Sequence, residues 1–241
     1  MTIRSRSTIG RRTQAGFTLL ETLIALTIGV FLLGGIAVVL GVTRQNFNAQ
    51  AGMGQLQDDQ RIAVNVLVNV VEHAGYFYNP TTQTAANAFP LTTPFVNAGQ
   101  SVSGSSGSGS AADSLTVRYW QSAAGSSTSD FLEDCNGNTN TGASPLAVTN
   151  TFTLDSQNQL NCAVGSNPAK PLAAGISSFS VMYGVDFNNN RSVDAYLPAS
   201  AMTAGYWALV GSVQVSIGFV NPLDKTRTIT VKRVINLMNR A

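Results

Sequence analysis

The chain has 241 residues, of which 11% are charged, with 22 glycines and a net charge of +2. That length holds one ordinary globular domain plus an extra element, and so few charges leave Ser, Thr, Asn and Gln to cover its surface. Four of the 14 basic residues (Arg4, Arg6, Arg11 and Arg12) fall in the first 12 positions with no acid among them. The near-neutral remainder excludes a nucleic-acid surface, which needs a basic stripe on the folded part.

After the basic stretch comes Gly16-Phe17-Thr18-Leu19-Leu20-Glu21, and no charged residue occurs from Thr22 to Thr43. The apolar segment is about 26 residues, about 39 Å as a helix, and a bilayer core needs only about 20. Flanking positive charge places its N-terminal side in the cytoplasm and the large remainder outside. Ala49-Gln50-Ala51 has the look of a signal-peptide cleavage site. Yet the apolar run exceeds the usual 7–15 residues, and that site lies several polar residues beyond it, which favours a retained anchor. Glu21 stands out, because a carboxylate at the bilayer centre costs ~2.5–3.5 kcal/mol and less near the interface. It is either a paired, functional group or a marker of the membrane boundary.

From Met53 to Ala74 the residues Met53, Leu56, Ala63, Leu67, Val70, Val71 and Ala74 recur at helical spacing. Ile62, Val66 and Val68 widen that apolar face, and Gly75 offers a stop. His73, near the helix end, reads as a solvated or capping residue. Residues 79–114 read as loop, with Gly99 to Ser110 Gly/Ser-rich and flexible. Gly107 to Ala112 formally fits G-x-G-x-x-A, but it follows no strand and opens no helix, so it implies no nucleotide site.

Strand signals follow. Leu115, Val117 and Tyr119 alternate with Thr116, Arg118 and Trp120, and Thr151–Leu154 with Gln159–Ala163 predict a hairpin around Asp155 to Asn158. Longer strands are predicted over Ile176–Val185, Ala208–Val220 and Thr226–Leu237. The predicted fold class is α+β: a long N-terminal helix, half membrane anchor and half spine, packed against one face of an antiparallel β-sheet.

Two cysteines, Cys135 and Cys162, and a single histidine cannot supply the four ligands of a zinc site. A disulfide, formed in an oxidising compartment, is the preferred reading over two free buried thiols. Asp186, Asn188, Asn190, Ser192 and Asp194 place oxygen-bearing side chains at alternate positions, as at the start of a calcium loop. Arg191 stands where such a loop turns on glycine, and only Asp186 and Asp194 are charged. An Asn-rich turn without metal is the competing reading.

The basic leader, Gly16, Phe17, Thr18-Leu19-Leu20, Glu21 and the apolar helix together closely resemble the class III signal of type IV prepilins and pseudopilins. The resemblance implies that prepilin peptidase cuts after Gly16 on the cytoplasmic side and that Phe17 is N-methylated. Glu21, fifth in the mature chain, would neutralise the Phe17 ammonium of a neighbouring subunit, since two opposite buried charges fare better paired than single.

Further pieces resemble the PilW-type minor pilins of Gram-negative bacteria. These are Leu56-Gln57 through Arg61 to Ala74-Gly75-Tyr76-Phe77, Asp134-Cys135-Asn136-Gly137, Asn150-Thr151-Phe152, Leu160-Asn161-Cys162, Tyr183-Gly184-Val185-Asp186, Trp207 and the ending Asn239-Arg240. The implied organisation is a removed leader (1–16), a transmembrane helix (17–43), a periplasmic helical half (44–76) and a disulfide-containing β-rich domain (77–241). The resemblance implies a subunit of the inner membrane, later of the surface pilus, that primes or caps filaments used for adhesion, twitching motility or DNA uptake. Its partners would be other minor pilins, the major pilin, prepilin peptidase and the assembly platform, with no cofactor required and calcium as the one option. A pseudopilin of the type II secretion system is the rival reading. A membrane-anchored periplasmic enzyme is a remote one, because one histidine and no nucleophile motif give catalysis little to build on. Major pilins are usually shorter and carry a helix-bending proline, whereas no proline precedes Pro80.

Overall fold

The computed structural model describes residues 16–108, 111–126 and 132–239. The four leading arginines and part of the Gly107–Ala112 glycine pattern lie outside them. By their contacts the residues fall into two units, one ending at Gln50 and one beginning at Ala51. Helix α1 (Leu19–Glu72) contributes to both.

In the first unit, Thr18 caps α1. Its hydroxyl oxygen accepts from the Glu21 N–H (3.3 Å) and its carbonyl from the Thr22 N–H (3.2 Å), satisfying donors that a helix start leaves unpaired. Thr22, Thr27 and Thr43 donate their hydroxyls to the carbonyls of Leu19, Ile24 and Val39 at 2.8–2.9 Å. These polar groups are therefore satisfied inside the helix, as an apolar solvent demands. From Phe17 to Phe47 the large apolar side chains are 51–83% exposed. Burying each would gain ~1.5–3 kcal/mol, so this stretch is built to be covered by lipid or by other helices.

In the second unit, Leu56, Ala63, Leu67, Val70 and Val71 of α1 are buried. Ile62, predicted on the same apolar face, is instead 45% exposed. The helix ends at Glu72, and Gly75 turns the chain at φ +79°, where a Cβ would strike the Asn239 carbonyl.

The strands form two antiparallel sheets rather than the single one predicted. β1 (Val102–Ser105), β2 (Ser114–Gln121), β3 (Leu146–Leu154), β4 (Leu160–Val164) and β5 (Lys170–Ala173) pair in sequence order. β6 (Ile176–Val185), β7 (Ala195–Pro198), β8 (Val210–Val220) and β9 (Thr228–Asn236) pair in the order β7-β6-β8-β9. The two-residue link Ala174-Gly175, with Gly175 at φ +69°, carries the chain out of the first sheet. Alternation marks which side chains share a face but not which sheet a strand joins. Both sheets and the helix share one core, in which Leu67, Val71, Val117, Phe152, Tyr183 and Ile217 are almost fully buried.

The 79–114 segment is more ordered than a flexible loop. A short helix α2 (Ala85–Ala88) is capped by Thr84, Phe89 and Phe95 are buried, and Val102–Ser105 is a paired strand. Its small residues answer to packing: a Cβ at Gly104 would overlap Tyr183 Oη and the Ser114 carbonyl. Asp113, just before β2, ties the sheets together. It accepts from Gly107 N–H (2.9 Å) and, across the core, from Val181 N–H on β6 (2.7 Å).

Candidate functional site

The residues singled out at the N-terminus are exposed. No atom lies within 4 Å of a Cβ placed at Gly16, and Phe17 is 81% exposed. Glu21 sits in the first turn of α1, where a carboxylate meets the positive end of the helix dipole. It is the one charged residue between Phe17 and Thr43. Phe17 and Glu21 are four positions apart. The signal that sequence reading missed here is Thr18-x-x-Glu21, the pattern of a helix capping box. Because Thr18 makes the cap, a chain that began at Phe17 would keep it.

Cys135 and Cys162 are joined in a disulfide between the loop before β3 and strand β4, 27 residues apart with Cα atoms 6.3 Å apart. Beside it, Val66, Asn69, Val70 and His73 of the helix end and Glu133, Asp134, Cys135 and Gly137 line a cleft of about 160 Å³. His73, expected as a solvated or capping residue, is half-buried. Its ring lies 5.8 Å from that of Tyr119, edge to face, and its Nδ1 is buried without a hydrogen-bond partner. Burial pulls its pKa below the ordinary value, partly opposed by the charge of Glu72.

The Asp186–Asp194 loop closes on its own backbone. Asp186, fully buried, accepts from the N–H groups of Asn190 (3.0 Å) and Arg191 (2.7 Å). Asp194 accepts from Phe187 N–H (2.8 Å) and from the Asn188 amide (3.2 Å). Asn188 and Asn190 cap the N–H groups of Asn190 and Ser192. Asn189 and Arg191 take positive φ to make the turn. Among the described residues no third His, Cys, Asp or Glu joins the two carboxylates. The loop's oxygens hold its shape by accepting from its own amides.

Sequence reading gave Arg118 no role beyond that of a residue alternating with the core side of β2. It is instead 5% exposed. Its Nε donates to the Gln100 carbonyl (2.7 Å), and its terminal nitrogens donate to the Pro90 carbonyl (2.8 Å), Thr92 Oγ1 (3.0 Å) and the Phe89 carbonyl (3.2 Å). The guanidinium also stacks 3.9 Å from the Phe95 ring centroid, a favourable cation–π contact. Burial lowers its pKa to about 10, leaving it cationic at neutral pH. Nearby, Gln100 Oε1 accepts from Val96 and Asn97 N–H, and Trp120 Nε1 donates to the Ala88 carbonyl. This network pins residues 88–100 over the outer face of the first sheet.

Residues 11–37 match the prokaryotic N-terminal methylation motif, and residues 146–234 match the family described as type IV pilus-assembly protein W. Among solved structures, the chain is similar to a type IV-like pilin from Thermus thermophilus. The two share 12% identity and a TM-score of 0.42 over 78% of this chain and 97% of that one. No curated protein sequence matches the chain significantly. The chain thus carries a match to the N-terminal methylation motif at the start of a helix long and apolar enough to cross a membrane, followed by antiparallel sheets. Within the globular region, the similarity to the pilus-assembly protein W family is confined to residues 146–234.

Proposed function

We propose that this chain is a minor pilin that co-assembles with other pilins to prime or cap a type IV pilus. The supporting observation is one juxtaposition: a methylation motif opens an exposed apolar stretch whose lone charge up to Thr43 is Glu21, on a chain whose residues 146–234 match the pilus-assembly protein W family. On this reading prepilin peptidase cuts between Gly16 and Phe17, Phe17 is N-methylated, and Glu21 meets the ammonium of a neighbouring subunit to fix axial register. The disulfide domain faces the periplasm before assembly and the cell surface afterwards. Other minor pilins, the major pilin and the inner-membrane platform are its partners.

Mass spectrometry of sheared, purified filaments tests this. The expected result is the chain at low abundance beside a major pilin, beginning at methylated Phe17. A cleaved form confined to the membrane fraction would favour a type II secretion pseudopilin or a primer held at the base. An uncut leader, or an N-terminus at Gly52, would refute the reading.

A further inference from the structure

Sheet edges offer unpaired backbone groups to other chains, and proteins usually guard them. Three of the four edges here are guarded. β7 has four residues and ends in Pro198, and β5 has four residues including Pro171. β1 also has four, and its flank is tied to the next layer by the Ser200 N–H to Ser106 Oγ bond (2.9 Å). Proline cannot donate to an added strand, and four residues give it little purchase.

β9 is the exception. Nine residues long, it lies at the end of its sheet and, among the described residues, pairs along its whole length with β8 alone. It holds no Pro or Gly, and six of its nine residues are Thr, Ile or Val, which suit a strand. Thr230, Lys232, Arg233 and Val234 are exposed. Its two charges are both positive and face Ser216 and Val215 across the β8 pairing, not acids. Among the described residues neither Lys232 nor Arg233 makes a salt bridge.

A second copy fits this edge poorly. Centred antiparallel pairing of β9 with β9 sets Lys232 opposite Lys232 and brings the two Arg233 side chains onto the diagonal. Like charges facing one another destabilise a strand pair. An acidic strand meets the opposite situation. We infer that β9 is a docking edge for an extended acidic segment of a different protein, which adds as a fifth strand of the β7-β6-β8-β9 sheet. Main-chain hydrogen bonds would supply affinity, and Lys232 and Arg233 would select the partner.

The test uses the full-length chain in detergent micelles and a labelled nine-residue peptide of Thr and Val with two adjacent Glu at its centre, one for each face of the strand, read by fluorescence anisotropy. The acidic peptide should bind, and its lysine counterpart should bind about tenfold more weakly or not at all. The double variant Lys232→Glu/Arg233→Glu should reverse that preference, while Lys170→Glu on β5 should leave it unchanged. An acidic peptide N-methylated at alternate residues, with its charge intact but strand donors removed, should lose binding. Equal binding by the N-methylated peptide would reduce the edge to a charged patch and overturn the inference. So would no binding to a folded chain, or a preference that survives charge reversal. These outcomes do not depend on leader cleavage or filament formation, so they stand apart from the pilin reading.

Discussion

Replacing Arg118 with Met keeps much of the side-chain length and volume and removes the cation. It leaves the Gln100 carbonyl, in a buried hydrogen bond, without a donor at ~1–3 kcal/mol, whereas the Phe89 carbonyl keeps the Gly99 N–H (2.8 Å). Pro90 and Thr92 are exposed enough to recover water. Loss of the stacking on Phe95 adds ~0.5–2 kcal/mol. Against this, the variant no longer holds a charge in a low-dielectric site, a relief of several kcal/mol in the opposite sense. The losses slightly outweigh the relief, so the net expectation is destabilisation by about 1 kcal/mol, with Arg118→Lys intermediate because one ammonium cannot reach four acceptors fanned around a planar fork. Urea denaturation of the full-length chain in micelles would measure it by tryptophan emission. Trp120 donates to Ala88 in the same network and reports locally. Hydrogen exchange at Val96 and Asn97, whose amides are held by Gln100, should accelerate before the global transition. An unchanged midpoint with unchanged exchange at those two amides would refute the reasoning.

Three other expectations follow from the same geometry. Reducing Cys135–Cys162, or replacing both with Ser, frees a loop of 27 residues and should cost about 3.5 kcal/mol on the chain-entropy account, visible as a lower denaturation midpoint with reductant. His73 titrates lower when folded than when unfolded because of burial, so between those two pKa values the unfolded chain binds more protons. Stability should fall as pH drops through about 6.5, and His73→Gln should flatten the midpoint-against-pH curve in that window; an identical slope in the variant would remove His73 as its source. Adding millimolar calcium after chelation should move the melting temperature by less than about 1 °C, because the 186–194 loop is held by its own amides; a rise of several degrees, as binding to the native state produces, would instead establish the metal reading.

What was legible in the sequence was what is contiguous and periodic. Helix α1 announced itself through its charge-free run, its three- and four-residue spacing and Gly75. β6, β8 and β9 were visible because their alternation runs for nine residues or more. β1, β5 and β7 have four residues each, too few for a period of two to rise above loop composition. The Gly/Ser run around Gly104 looked flexible because composition cannot show that Tyr183 fills the space a side chain would need. The motif around Gly16, Phe17 and Glu21 was readable because it lies in local order. The Arg118 network was not: its acceptors come from residues 89–100, and on β2 both faces are buried, so alternation could not tell outside from inside. Spacing in the Asp186–Asp194 loop suggested a cation, but spacing says nothing about where the backbone amides point.

The link made by Asp113 bears on how such domains can be recombined. Its carboxylate holds Val181 of the opposite sheet. Tyr183 Oη reaches back to within 3.4 Å of the Ser114 carbonyl and 3.5 Å of the Ser103 carbonyl, in the space Gly104 leaves open. The sheets are therefore not interchangeable modules. A chimaera that took the first sheet from one relative and the second from another would need residues 103–114 and 179–183 from the same parent. Without that match, it would bury an unanswered carboxylate or force a tyrosine into a side chain.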